Sequence, residues 1–247
     1  MQAPVSEIDG KTAIVTGASS GIGLATCRLL TVHGASVHGV ARRPIEAEGV
    51  HSHSVDVRDR SAVQRLVAEI GEVDILVYAT GTNLPERRLE QLTQEAWDEL
   101  IDVNLSAAFR FVHACLPALR RNRGDVVVVA SVSGQWPDLS GPAYQASKAG
   151  LMALARASSF EEHGRGVRFS SVNPGLVDTP LLERRPVVPS REVLDLALKP
   201  EDVAEAVLFV LSQPSRVNIA ELTIVPAALQ SLGKTSTAVM PETPTGR

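Results

Sequence analysis

The run DVVVVAS, Asp125–Ser131, places five consecutive apolar residues, Val126–Ala130, in a segment too short and too β-branched to be a helix. Such a strand has no face left for water, the signature of a parallel sheet covered by helices on both sides. Six other short runs share its character: Thr12–Thr16, Ser36–Ala41, Ser52–Val57, Asp74–Ala79, Val167–Asn173 and Ala220–Val225. Helical periodicity fills the gaps, near Gly21–Val32, Ser61–Ile70, Thr93–Arg121, Tyr144–Glu162 and Pro200–Leu211. Strand–helix alternation kept up over this length predicts the α/β class: a doubly wound parallel sheet of about seven strands. One domain is expected over residues 1–232, with 233–247 a tail of disorder-like composition, expected to be flexible.

Composition narrows the function classes. Hydrophobic residues make up 44% and charged residues 21% of the 247, ordinary values for a soluble globular chain. The net charge of −4, with no basic stripe, argues against nucleic acid as a partner. No apolar run is long enough to span a membrane and the start lacks export features, so a cytoplasmic location is expected. The two cysteines, Cys27 and Cys115, lie far apart in predicted helices and fit reduced, buried thiols.

In an open sheet of this kind ligands bind beyond the carboxyl ends of the strands. The first such edge reads TGASSGIG, Thr16–Gly23. Gly17 permits a tight turn, and Gly21 and Gly23 allow close backbone approach. The helix behind them, with Ile22 in its first turn, would aim its free N–H groups at a pyrophosphate, and the Ser19 and Ser20 hydroxyls would add contacts to phosphate. The competing account is a merely compact strand–helix turn. After the second strand the chain reads Ala41, Arg42, Arg43, with no acid to hold an adenosine ribose. Guanidinium groups there favour the 2′-phosphate of NADP(H) over NAD(H), unless both are solvated surface charges. Asp56, followed by Val57, reads either as an adenine contact or as a helix cap.

Tyr144 and Lys148, in YQASK, share a helix face at i and i+4. A phenol is a poor acid at neutral pH, and a neighbouring ammonium is expected to lower its pKa toward the working range. The Ser131 hydroxyl, at the end of its strand, is placed to bond a reacting oxygen. Asn104 is polar in an apolar stretch and either holds a water for proton relay or marks a helical irregularity. In VNPGLVDTP, Pro174, Gly175 and Val177 would line a nicotinamide pocket, with Thr179 placed to bond its carboxamide.

Taken together, TGASSGIG, Asp56, Asn104, Ser131, Tyr144 with Lys148, and the PGLVDT turn resemble the short-chain dehydrogenase/reductase family in its single-domain branch. The resemblance spans roughly residues 10–230. It implies a Rossmann-type sheet and a tetrad of Asn104, Ser131, Tyr144 and Lys148. Tyr144 would exchange the proton, Lys148 would also hold the nicotinamide ribose, Ser131 would orient the substrate oxygen, and Asn104 would support a relay water. It further implies pro-S hydride transfer without a metal, and a homodimer or homotetramer joined through the long helices. Two departures stand out. YATG, Tyr78–Gly81, replaces the family's Asn-Asn-Ala-Gly; it keeps Gly81 near the adenosine ribose but puts local sheet stabilisation in question. The ending SQPSRVNIAELTIVPAAL is similar to the subgroup acting on 3-hydroxy acids and on assorted aldehydes and ketones with NADP.

Trp136 and Leu139, between Ser131 and Tyr144, are expected to line the substrate pocket and, with Leu181 and Leu182, to make it partly hydrophobic. Leu181–Val193 is expected to form a mobile lid, its Arg184 and Arg185 either solvated charge, the commoner case, or an attraction for a carboxylate. His51 and His53 share a strand face without a third ligand nearby in sequence, so no metal site is expected. The reading is an NADP(H)-dependent oxidoreductase interconverting a small carbonyl compound and an alcohol. The alternatives are an NAD(H) enzyme of the same fold or a non-catalytic nucleotide-binding sensor or scaffold.

Overall fold

Period-two alternation of the strand side chains divides the core into two layers. Ile14, Leu76, Val126 and Val128 point to one face of the sheet; Ala13, Val15, Ile75, Val77, Val127 and Val129 point to the other. A computed structural model describes residues 8–229. Its strands are β1 (Thr12–Thr16), β2 (Ser36–Ala41), β3 (Val50–Ser54), β4 (Ile75–Tyr78), β5 (Asp125–Val129), β6 (Arg168–Pro174) and β7 (Glu221–Ile224). All pairings are parallel, in the order β3-β2-β1-β4-β5-β6-β7. The chain direction across the sheet reverses between β1 and β4, which is where such folds take their ligands.

The helices are α1 (Gly21–Val32), α2 (Arg60–Ile70), α3 (Gln94–Ile101), α4 (Ala107–Asn122), α5 (Pro142–Glu162), α6 (Arg191–Leu196) and α7 (Pro200–Leu211). Cys27 and Leu30 of α1 and Val203 and Val207 of α7 cover one face; Val63, Phe111 and Leu151 of α2, α4 and α5 cover the other. Each fully buried aliphatic side chain contributes about 1.5–3 kcal/mol. Cys27 and Cys115 are free and buried, as expected, and burial pushes both thiols up to about 12.

Several boundaries differ from the sequence reading, most by a residue or two, and three of the differences bear on the site. The third strand begins and ends earlier, at Val50–Ser54, because its partner β2 sets the register Val37↔Val50 to Ala41↔Ser54. As an edge strand with mostly exposed side chains it carries little hydrophobic signal, and Val57 packs into the core beyond it. The fifth strand stops at Val129, so Ser131 stands just past it. The long helix expected over Thr93–Arg121 is interrupted by a π-helical turn, Asp102–Ser106, a device frequent at functional sites. Within Leu181–Val193, a 3₁₀ turn (Pro180–Arg184) and the start of α6 carry backbone order. The tail 233–247 lies outside the described residues. No helix among them is long and apolar enough to cross a membrane, and no cluster of His, Cys, Asp or Glu could hold a metal.

Candidate active site

A cavity of about 780 Å³ opens along the carboxyl edge of the sheet, from the glycine loop past the switch point to Tyr144. At one end Gly17 adopts φ 69°, and a side chain there would meet the carbonyl of Ala79 at 2.9 Å. A Cβ on Gly23 would collide with the carbonyl oxygen of Gly17. These glycines therefore let the loop pack tightly against the chain just after β4, and with Gly21 they line the cavity through backbone, which leaves room for a pyrophosphate. Helix α1 has no acid in its first turn, and its N-cap Ser20 leaves its hydroxyl unused for capping. Beside the cradle the Arg43 guanidinium donates to Ser19 Oγ and Ser20 Oγ, both at 3.4 Å. Arg42 also lines the cavity, and no carboxylate stands at the end of β2.

Asp56 follows β3 rather than closing it. Its carboxylate accepts from Arg58 Nη2 at 2.7 Å, and this hydrogen bonding holds its pKa down at about 2. The cap of α2 is Asp59, which accepts from the Ala62 amide at 3.0 Å, so the helix-cap account of Asp56 is corrected. Asp56 and Val57 both line the cavity, as do Ile22, Gly81, Pro174, Gly175, Val177 and Thr179. Thr16 Oγ1 accepts from the amides of Ala79 and Thr80 at 3.1 and 3.2 Å, tying the ends of β1 and β4 together and setting the path of Gly81.

Asn104 sits in the π turn, fully buried. Its Oδ1 accepts from the Thr82 amide at 2.8 Å; its Nδ2 donates to Thr82 O and to Ser147 Oγ, both at 3.0 Å. Both ends of the amide are thus engaged by protein, and the helical irregularity that the sequence hinted at is real. Tyr78, in the position where the family resemblance expects Asn, is fully buried and donates to the Val103 carbonyl at 2.6 Å. The departure at Tyr78 supplies its own anchor between β4 and the π turn.

Lys148 is buried one turn beyond Tyr144 on α5, and its Nζ donates to the Val129 carbonyl at 2.9 Å. Burial lowers its pKa to about 8. The ammonium lies 5.8 Å from the centroid of the Tyr144 ring. The Tyr144 pKa is raised, not lowered, in this state: burial pushes it up, and hydrogen bonding to Ser131 with the charges of Arg185 and Arg87 offsets this only in part. The expectation that Lys148 would lower it is corrected, because the ammonium is turned to a backbone carbonyl.

Ser133, Asp138 and Ser140 line the cavity together with Tyr144. Asp138 accepts from Ser133 Oγ at 2.5 Å, from the Ser140 amide at 2.8 Å and from Ser140 Oγ. Trp136 and Leu139 do not line the cavity, Leu139 being 72% exposed, whereas Leu176, Leu181 and Leu182 do, so the lining is mixed. The loop after β4 adds Thr82, Asn83 and Arg87, residues that sequence reasoning missed. PERR in a polar loop carries no signal separating a buried arginine from a solvated one. The sequence feature that could have flagged the region is the uninterrupted stretch between Gly81 and α3.

A Rossmann-type parallel sheet with these residues gathered at its switch point defines an oxidoreductase. The chain belongs to the short-chain dehydrogenase family, whose model matches residues 11–187. It is 33% identical to the 3-oxoacyl-[acyl-carrier-protein] reductase of Thermotoga maritima, over 84% of this chain and 93% of that protein. It is 30% identical to the serine 3-dehydrogenase of Agrobacterium fabrum, over 87% and 93%. Among solved structures it resembles an alcohol dehydrogenase from Thermococcus sibiricus complexed with 5-hydroxy-NADP, with TM-score 0.77, 30% identity and coverage of 89% and 97%.

Proposed function

We propose that the protein is an NADP(H)-dependent oxidoreductase that interconverts a small ketone or aldehyde and the corresponding alcohol. The observation that carries this reading is the single cavity joining the glycine cradle and Arg43 to Ser131, Tyr144 and Lys148. The cradle and Ser19, Ser20 and Arg43 suit the phosphates, Asp56 and Val57 the adenine, Gly81 and Lys148 the riboses, and Pro174, Gly175, Val177 and Thr179 the nicotinamide. When bound, the nicotinamide supplies or accepts the hydride.

The chain's own residues handle the proton and the orientation. Ser131 donates to the substrate oxygen and fixes its distance from the Tyr144 phenol. Tyr144 gives its proton to that oxygen in reduction and takes it back in oxidation. The raised pKa keeps the phenol protonated, the form reduction needs. Lys148 stands one turn beyond Tyr144 with its ammonium held by the Val129 carbonyl, and Asn104 holds the Thr82 backbone and Ser147 in place. A homodimer or homotetramer through α4 and α5 is supported by Phe109 and Phe160, exposed at 54% and 80%.

Titration of the purified protein with NADPH and with NADH, read by nicotinamide fluorescence, tests the cofactor assignment. Preference for NADPH is expected. Preference for NADH would overturn the role of Arg42 and Arg43, and binding of neither would overturn the whole reading.

A further inference from the structure

We infer that Arg87 and Arg185 form a carboxylate-recognising subsite beside Tyr144, so that the substrate is an oxo acid or its hydroxy acid. The inference rests on the reading of Tyr144 as the reacting centre. Arg87 is only 7% exposed. Its Nη2 donates to the Arg184 carbonyl at 2.8 Å, while its buried Nε has no hydrogen-bond partner among the described residues. Arg185 likewise presents a buried Nη1 without a partner. Neither guanidinium has a carboxylate within ion-pairing distance among the described residues, although ten such pairs form elsewhere in the chain.

Burying a charge with unpaired N–H groups is costly unless a counterion arrives, and two such groups line one cavity. Both are electrostatically coupled to Tyr144 and to Asp138, and Arg87 to Arg185, which places all four groups close together. Asp138 does not neutralise the pair by contact, because its oxygens are taken by Ser133 and Ser140. Its charge still counts, but the two guanidinium groups and the Lys148 ammonium of the same cavity outnumber it, which suits an anion; Asp138 repels a phosphate monoester dianion more strongly than a carboxylate monoanion. Glu183 and Arg184 lie at the exposed rim and offset one another. The planar guanidinium fork matches the carboxylate geometry.

The experiment compares 2-oxobutanoate, 3-oxobutanoate and 4-oxopentanoate with their uncharged methyl esters. Thermal unfolding in the presence of NADP+ or NAD+ reads binding, since a ketone and an oxidised nicotinamide do not react. Steady-state reduction with NADPH or NADH reads turnover. At least one acid is expected to bind, and to be reduced, about tenfold or more better than its ester in Kd and kcat/KM. In Arg185→Gln that preference is expected to fall to within about twofold, with partial recovery in Arg185→Lys. Arg87→Gln is expected to behave as Arg185→Gln, with its own unfolding curve checking that it folds.

Esters that bind as well as the acids would overturn the inference, as would a preference that survives in Arg185→Gln. Stabilisation by dihydroxyacetone phosphate where no acid stabilises would also overturn it. Esters reduced as fast as acids, in a reaction lost in Tyr144→Phe, would sink the subsite while leaving the oxidoreductase reading standing. Failure to bind any nicotinamide nucleotide would sink that underlying reading instead.

Discussion

The Lys148 ammonium is 5.8 Å from the centroid of the Tyr144 ring and donates to the Val129 carbonyl at 2.9 Å, rather than to the phenol. The two side chains share a helix face, yet the strand backbone, not the phenol, satisfies the charge. Lys148 is thus pinned to the end of β5.

Tyr144→Phe removes the exchangeable proton and little else. Turnover is expected to fall about 10²–10⁴-fold, with NADPH affinity kept within about twofold. Steady-state rates and a fluorescence titration on the same preparation check this, and an unchanged rate would remove Tyr144 from the proton path.

Lys148 gives a stability signature with a definite sign. Its pKa is lowered by burial from 10.5 to about 8 in the folded protein. Between those two pH values the unfolded chain binds more protons, so this site adds stability as pH rises across the window. Below about pH 8 the ammonium is charged in both states and the burial cost is complete. Melting curves of wild type and Lys148→Met should show Tm of the variant falling relative to wild type from pH 8 to 10.5; a difference independent of pH would contradict it.

Arg43 reaches Ser19 and Ser20 across the mouth of the glycine cradle. Arg43→Ala is expected to weaken NADPH binding about 10–100-fold, the range of one or two charge-assisted hydrogen bonds, while NADH binding stays nearly constant. Equal losses for both nucleotides would show that the arginine senses the shared pyrophosphate instead.

Tyr78→Phe deletes the donor that satisfies Val103 in the π turn. A partly buried carbonyl loses its partner, so urea unfolding should show about 1 kcal/mol less stability with an unchanged m-value. No loss would mean that Val103 finds another donor.

His38, His51 and His53 stack on one face, with His38 Nδ1 and His53 Nε2 2.9 Å apart. Burial and the two neighbouring rings lower the His38 pKa to about 4. The folded value lies below the unfolded one, so this stability is full above about pH 6.5 and is lost as pH falls toward 4. His38→Phe should flatten that acid slope by about 1 kcal/mol or less, because the ring is largely solvent-screened. Urea unfolding at pH 7 and pH 4.5 checks it.

How much of this was legible in the sequence follows from the range of each interaction. The period of apolar residues determined the parallel sheet, and β1, β2, α1 and α7 fall on the expected residues because their burial patterns are local and strong. The glycine loop and the Tyr144–Lys148 spacing are also local, so the cradle and one side of the site could be read directly. Edge strand β3, with little apolar signal, took its register from β2 alone. The π turn at Asn104 adds a residue per turn without altering the hydrophobic pattern, so a continuous helix was expected. Only the tertiary structure decided what faces Tyr144. Arg87 comes from a loop 57 residues earlier and Arg185 from a turn 41 residues later, and they meet because Asn83 donates to Ser140 O at 3.1 Å and Arg87 to Arg184 O. Charge in a polar loop looks alike whether solvated or buried. Only packing, by withdrawing water and leaving their N–H groups without partners, turns these arginines into a binding site.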